Sequence, residues 1–235
     1  MEKYVITGQI GEGAQGVVLK AYDTSNERDV ALKKVYTKRV KDGDLKPANL
    51  LINENGILKI ADFGLSRLAW DDVAKPYSHQ VATRWYRAPE LLYGARYYTA
   101  SIDMWSVGCI FGELLNKWPL FPGETDIEQL AIVLRYLGTP TVEVWPDLDS
   151  LPDYNKITFP YNKGVTWDSI VEDAEPEAVD LISHILVYNS SKRLTASEVE
   201  INSNSVEQFK SRITRCTVAV FLPFCLSFLP TAIFF

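Results

Sequence analysis

Asp44-Leu45-Lys46-Pro47-Ala48-Asn49, then Asp62-Phe63-Gly64, then Ala88-Pro89-Glu90 is the stretch whose reading decides the fold. Asp44 precedes Lys46 by two positions and Asn49 by five, and Ala88 follows Asp62 by 26. Taken singly, each polar residue here reads as a cap or a turn. Taken in order, they bracket a hairpin: Leu50-Leu51-Ile52 and Ile57-Leu58-Lys59-Ile60 flank the turn signal Asn53-Glu54-Asn55-Gly56. Residues 65–90 read as one long loop.

Upstream, short β-branched and aromatic runs broken by glycines and by Asp23-Thr24-Ser25-Asn26 predict three antiparallel strands, at about 4–11, 16–23 and 29–36. Gly11-Glu12-Gly13-Ala14-Gln15-Gly16-Val17-Val18 fits G-x-G-x-x-G-x-V. Strands flank it and no helix follows the third glycine, which favours a phosphate-covering hairpin over a dinucleotide-binding turn. Glycines let backbone N–H groups approach a phosphate without a Cβ clash. The third strand carries Val30-Ala31-Leu32-Lys33, and only eleven positions separate Lys33 from Asp44. The residues between them are charged and without period, so they read as a loop.

Downstream, apolar periodicity predicts helices over Ser101–Leu115, Asp126–Leu137 and Glu175–Val187, with another beginning at Thr195. Residues 138–168, rich in Pro, Asp and aromatics, read as irregular. From Cys216 to Phe235 there are twenty residues without a charge, interrupted by Pro223 and Pro230, with Lys210, Arg212 and Arg215 just upstream.

A net charge of −6 argues against sequence-independent nucleic-acid binding, which needs a basic surface. Three cysteines at no metal-like spacing fit a reducing compartment. Met1-Glu2-Lys3-Tyr4 does not open a signal peptide. The two histidines, His79 and His184, have no acid–base partner pattern around them and read as structural or surface residues.

The ordered motifs resemble the eukaryotic protein-kinase family over about residues 4–200. Trp85-Tyr86-Arg87-Ala88-Pro89-Glu90, Ile102-Asp103-Met104-Trp105-Ser106-Val107-Gly108-Cys109-Ile110, Pro119-Leu120-Phe121-Pro122-Gly123 and Leu137-Gly138-Thr139-Pro140 resemble its cyclin-dependent branch. Glu90-Leu91-Leu92-Tyr93-Gly94-Ala95-Arg96 and Leu151-Pro152-Asp153-Tyr154-Asn155-Lys156-Ile157 point within it to the cell-cycle-related kinases. The resemblance implies an α+β, bilobal fold with a truncated small β lobe (4–36), a mainly helical large lobe (44–200) and a divergent apolar tail (201–235). It implies a serine/threonine kinase that moves the ATP γ-phosphate to Ser/Thr-Pro sites in proteins regulating the cell cycle, in nucleus and cytoplasm.

Roles follow from that resemblance. Asp44 takes the substrate hydroxyl proton and Lys46 steadies the γ-phosphate. Ile10, Gly11, Gly13, Gly16, Val18, Ala31 and Lys33 hold ATP, with Val18 and Ala31 over adenine and Lys33 on the phosphates. Asn49 and Asp62 are hard oxygen ligands suited to Mg²⁺. Ser78 aligns with the activation-loop phosphosite, and Arg67 and Arg87 are candidates to neighbour that loop. Val81 and Ala82 shape a pocket that prefers proline after the target residue. Thr83 bonds Asp44 and Lys46, Asp103 holds the catalytic-loop backbone, and Glu90 pairs with Arg193 in a buried ion pair. Protein substrates and a cyclin-like or other activating protein are the implied partners.

The family places a helix, two strands, an adenine-contacting hinge and two further helices between the lysine strand and the catalytic loop. None fits into residues 34–43, so two distant segments of the family pattern are joined directly. His-Arg-Asp becomes Asp42-Gly43-Asp44. The cyclin-contacting helix is among the parts missing. Loss of a core helix is expected to expose Leu50, Ile52 and Ile60. The chain then has two readings: a phosphotransferase, or a partner- or substrate-binding module built on residues 45–199. The tail likewise has two, an altered-exon sequence or a membrane anchor of about 20 apolar residues.

Overall fold

Three strands build the small unit. β1 (Tyr4–Gly13), β2 (Gly16–Asp23) and β3 (Arg28–Val35) form one antiparallel sheet in that order, close to the boundaries the sequence predicts. In the computed structural model the described residues are 3–13, 16–35, 45–52, 58–61, 67–68, 82–202 and 232–233. The chain divides into two compact units, Met1–Asp42 and Gly43–Phe235.

The β2–β3 turn forms because Asp23 can hydrogen-bond its own backbone two and three residues on. Its Oδ1 accepts from the N–H groups of Ser25 (2.9 Å) and Asn26 (3.3 Å), and its Oδ2 accepts from the Asn26 side-chain amide at 2.8 Å. The bond from the Asn26 side chain, with those backbone donors, holds the Asp23 carboxyl below its usual range.

The large unit is mainly helical: α1 (Pro89–Leu92), α2 (Ser101–Asn116), α3 (Asp126–Leu137), α4 (Trp167–Ile170), α5 (Pro176–Ile185) and α6 (Ala196–Asn202). Residues Ile102 to Gly112 of α2 are buried without a break, so this mostly apolar helix is covered on every side and runs through the core. Gly112 makes that possible, since a Cβ there would collide with the Leu120 side chain and come within 3.0 Å of Ile182 Cδ1. Trp105, Phe111, Phe121, Ile182 and Ile185 fill the centre, with Trp105 stacked on Phe121 at 6.0 Å. Gly112→Val therefore over-packs α2 against Leu120 and Ile182 and should cost about 1–3 kcal/mol in denaturant melts; an unchanged midpoint would mean the packing there is loose.

Helix ends follow the cap residues. Thr125 caps α3 by accepting from Glu128 N–H at 3.1 Å, and Gly138 ends it at φ 85, a conformation that favours glycine. Before α6, Thr195 N–H donates to Glu198 Oε2 (2.8 Å) while Glu198 N–H donates to Thr195 Oγ1 (3.3 Å), a reciprocal capping box. The bond from the Thr195 N–H holds the Glu198 carboxyl below its usual range. A carboxyl depressed in the folded state contributes stability above its unfolded pKa and loses it as pH falls through the folded value. Melts between pH 6 and 3 should therefore lose an acid-labile component that Glu198→Gln lacks at every pH.

β4 (Leu50–Ile52) and β5 (Leu58–Ile60) pair as a hairpin with Leu50 opposite Ile60 and Ile52 opposite Leu58. The expected exposure is only partly found. Leu50 and Ile60 pack against the core, whereas Leu51 and Ile52 are 56% and 46% exposed. Leu50, Ile52, Leu58 and Ile60 share one face of the hairpin, and the core covers it at Leu50, Leu58 and Ile60 but leaves Ile52 open.

Two further differences concern the segment read as one long loop. β6 (Arg67–Leu68) pairs with β7 (Ala232–Ile233) of the tail, and a 3₁₀ turn (Arg84–Tyr86) precedes α1, which Pro89 opens at its first turn. Among the described residues no helix is long and apolar enough to cross a membrane. Apart from β7, the stretch from Cys216 lies outside the described residues.

Candidate active site

In the small unit the sheet register collects the residues assigned to the nucleotide. Gly11 lies opposite Val18, and Val18 opposite Lys33, making one row across three strands. Ala31 stands two positions from Lys33 and therefore on the same face as that row. Ile10 falls at the register shift between Gln9 and Gly11. Gly13 faces Gly16 at the end of the hairpin. A Cβ built on Gly11 would meet nothing within 4 Å, so the backbone there lies open to a ligand's approach.

In the large unit Leu45 is buried and anchors the next residues. Pro47–Asn49 form a 3₁₀ turn in which Asn49 N–H donates to the Lys46 carbonyl at 2.9 Å. Asn49 is buried, and its carbonyl accepts from Ala61 N–H at 2.7 Å. That bond ties the turn to the residue preceding Asp62 in the sequence. Lys46 Nζ donates to Thr83 Oγ1 at 3.1 Å, fixing the ammonium from a residue 37 positions away. Asp44, Asp62 and Ser78 lie outside the described residues, as does His79.

Ala82 has φ 65, in the left-handed region that a non-glycine residue occupies only at a cost. Its carbonyl is taken by the Arg87 guanidinium at 2.8 Å. Arg87 also donates to Asp126 Oδ1 at 3.0 Å, and Arg84 Nε donates to the same oxygen at 2.7 Å. Arg84 further donates to the Glu124 carbonyl (2.8 Å), and Trp85 Nε1 to the Gly123 carbonyl (3.1 Å). Arg87, considered from sequence as a neighbour of the Ser78 loop, donates to Ala82 and to Asp126 of α3, while Ser78 itself lies outside the described residues. Ser106 Oγ donates to the Tyr86 carbonyl at 2.9 Å and Tyr86 Oη to Glu113 at 2.7 Å, which fastens the 84–86 turn to α2.

Arg193 is fully buried, and it reaches Glu90 in a two-pronged pair, Nη1 to Oε1 at 2.9 Å and Nη2 to Oε2 at 3.1 Å. Its remaining donor capacity goes to the carbonyls of Ser101 (2.7 Å) and Val187 (3.1 Å), and its guanidinium lies 5.2 Å from the Trp105 ring centroid. Asp103 is buried in the first turn of α2. His184 is exposed, with Nδ1 2.8 Å from the Asp180 carbonyl oxygen, a surface contact.

Sequence reasoning missed Asp126 and Arg84. Asp126 reads as an ordinary first-turn carboxylate after the Thr125 cap. Its contact with Arg84 and Arg87 spans about forty positions and has no local signature.

The family model for the protein kinase domain matches residues 35–203. Cyclin-dependent kinase 20 of Danio rerio is 43% identical over 281 aligned positions, which take in 84% of this chain and 82% of that protein. Its counterparts from Mus musculus and Homo sapiens are 41% and 40% identical, each over 84% of this chain and 81% of their own length. An alignment of 281 positions is longer than the 235-residue chain, so these relatives carry positions with no counterpart here. The kinase-domain model covers residues 35–203 and these relatives are 40–43% identical over 84% of the chain, so the chain belongs to the cyclin-dependent kinase family of protein kinases.

Proposed function

We propose that this chain is a serine/threonine kinase directed to sites where proline follows the target residue. The observation that carries the reading is the Ala82 carbonyl, turned by a left-handed backbone toward Arg87 and occupied at 2.8 Å. A peptide seated here finds no acceptor at Ala82 for the N–H of the residue after its Ser or Thr. Proline has no N–H to leave unsatisfied. Any other residue buries an unpaired donor, at about 1–3 kcal/mol, or about 5- to 150-fold in preference.

The residues present fit the nucleotide and its ion. A buried amide at Asn49 and a carboxylate at Asp62 are hard oxygen donors, and the ion they would hold is Mg²⁺, which neutralises phosphate charge. The glycine hairpin and the row through Val18 and Lys33 suit a triphosphate. Asp44 is proposed to accept the substrate hydroxyl proton as that oxygen bonds the γ-phosphorus and the bond to the β-phosphate oxygen breaks, leaving ADP. Lys46, held by Thr83, steadies the γ-phosphate. Proteins that regulate the cell cycle are the proposed substrates.

A second reading rests on a separate observation, the eleven positions between Lys33 and Asp44 and the relatives' unmatched positions. In that reading the large unit binds partners or substrates without turnover, and Asp44→Ala retains the same partners in a pull-down.

A peptide array varied at the position after Ser or Thr tests the first reading. Proline should dominate with the native chain, and Arg87→Ala should flatten the profile by about tenfold. A flat profile with the native chain overturns it.

A further inference from the structure

We infer that Asp126 is a positioning residue for proline selection, acting through Arg87; this rests on the reading of Ala82 given above. Arg87 can occupy the Ala82 carbonyl only if its guanidinium is held in one orientation. One Nη donates to Ala82 and the other donates to Asp126 Oδ1 at 3.0 Å. The two bonds fix the plane of a rigid fork, because a guanidinium held at both ends cannot turn away from either partner.

The same oxygen also accepts from Arg84 Nε at 2.7 Å. Arg84 and Arg87 lie three positions apart at the two ends of one 3₁₀ turn and carry like charge. Asp126 is the carboxylate bonded to both. Without it the two guanidinium groups repel, and Arg87 swings from the carbonyl it must cover. Asp126 is itself placed by its helix. It follows the Thr125 cap as the first residue of α3, where a carboxylate is stabilised by the helix N-terminus. Arg84 and Trp85 donate to the carbonyls of Glu124 and Gly123, which brings that helix end against the turn. The side chain of Arg87 is mostly covered and that of Asp126 is half exposed, so the pair can be altered without opening the core.

The consequence is a division of labour between segments about forty positions apart. The loop carrying Ala82 presents the peptide surface, and α3 sets what that surface accepts. Asp126 touches no substrate in this account; it selects by aiming another residue.

The test compares full-length chain, Asp126→Asn, Asp126→Glu and Arg87→Ala. Binding of two fluorescent peptides that differ only in Pro or Ala after the Ser is followed by anisotropy, which needs no phosphate transfer. Thermal melting is recorded for each variant. Asp126→Asn should reduce the Pro/Ala affinity ratio at least fivefold while its melting stays within a few degrees of the native chain, and Asp126→Glu should recover most of the ratio. Arg87→Ala should lose the ratio as well. A native ratio near one, or no binding of either peptide, overturns the proline reading itself. A native ratio that Arg87→Ala abolishes and Asp126→Asn leaves intact overturns the role of Asp126 alone. Should Asp126→Asn unfold, Arg84→Gln, which frees Asp126 to Arg87 alone, must keep the ratio; its loss there overturns the proposal.

Discussion

Arg193→Ala should destabilise the large unit by about 3–5 kcal/mol, the typical cost of removing one partner from a buried ion pair. The arginine is fully buried and the Glu90 carboxylate nearly so, which puts the pair beyond the screening that makes surface bridges weak. Removing the guanidinium leaves Glu90 charged, dry and unpaired, and it also strands the carbonyls of Ser101 and Val187. The Trp105 ring loses its cation partner as well. For a domain of this size the change corresponds to a fall in melting temperature of about 6–20 °C. Replacing both partners together, Glu90→Leu with Arg193→Met, should cost less than Arg193→Ala, because no lone charge remains. Calorimetry decides it: a loss under 1 kcal/mol for Arg193→Ala would mean the pair is not structural.

Asp44→Asn should reduce phosphate transfer by about 10²–10⁴-fold, the usual worth of a positioned general base. The substitution keeps the side chain's size and removes only its capacity to take a proton, so melting temperature and peptide affinity should hold. Lys46→Met probes the neighbouring contribution differently. It removes the bond to Thr83 and a cation from the site, so peptide binding and transfer should both change. A rate with Asp44→Asn within threefold of native would assign proton acceptance elsewhere.

Much of the fold was legible because its signals are local. The glycine-broken strands 4–35 gave their boundaries through turn residues such as Asp23, whose side chain bonds the next residues directly. The helices at 101–116 and 126–137 followed from apolar periodicity and from caps such as Thr125. The Glu90–Arg193 pairing came from family resemblance; no local pattern links residues 103 positions apart. Exposure was read less well. The sequence suggests that Leu50, Ile52 and Ile60 lose their cover; Ile52 is exposed as expected, whereas Leu50 and Ile60 pack on the core, a difference along one face of the hairpin that alternation alone does not encode.

The candidate site shows the same division. Lys46 and Asn49 were readable as types at a spacing, and Thr83 came from the family resemblance. The left-handed backbone at Ala82 was not, because alanine carries no local preference for it. What holds that conformation, Arg87 with Asp126 behind it, is tertiary.

The central claim is that an occupied carbonyl at Ala82 rejects peptides for the N–H they carry, not for side-chain shape. The direct measurement uses three peptides identical except for the residue after the Ser: proline, alanine and N-methylalanine, the last being alanine without its N–H. Their affinities for the full chain, and their rates of phosphorylation with ATP and Mg²⁺, are compared. The account predicts N-methylalanine within about threefold of proline and about tenfold or more ahead of alanine. N-methylalanine as poor as alanine would contradict it.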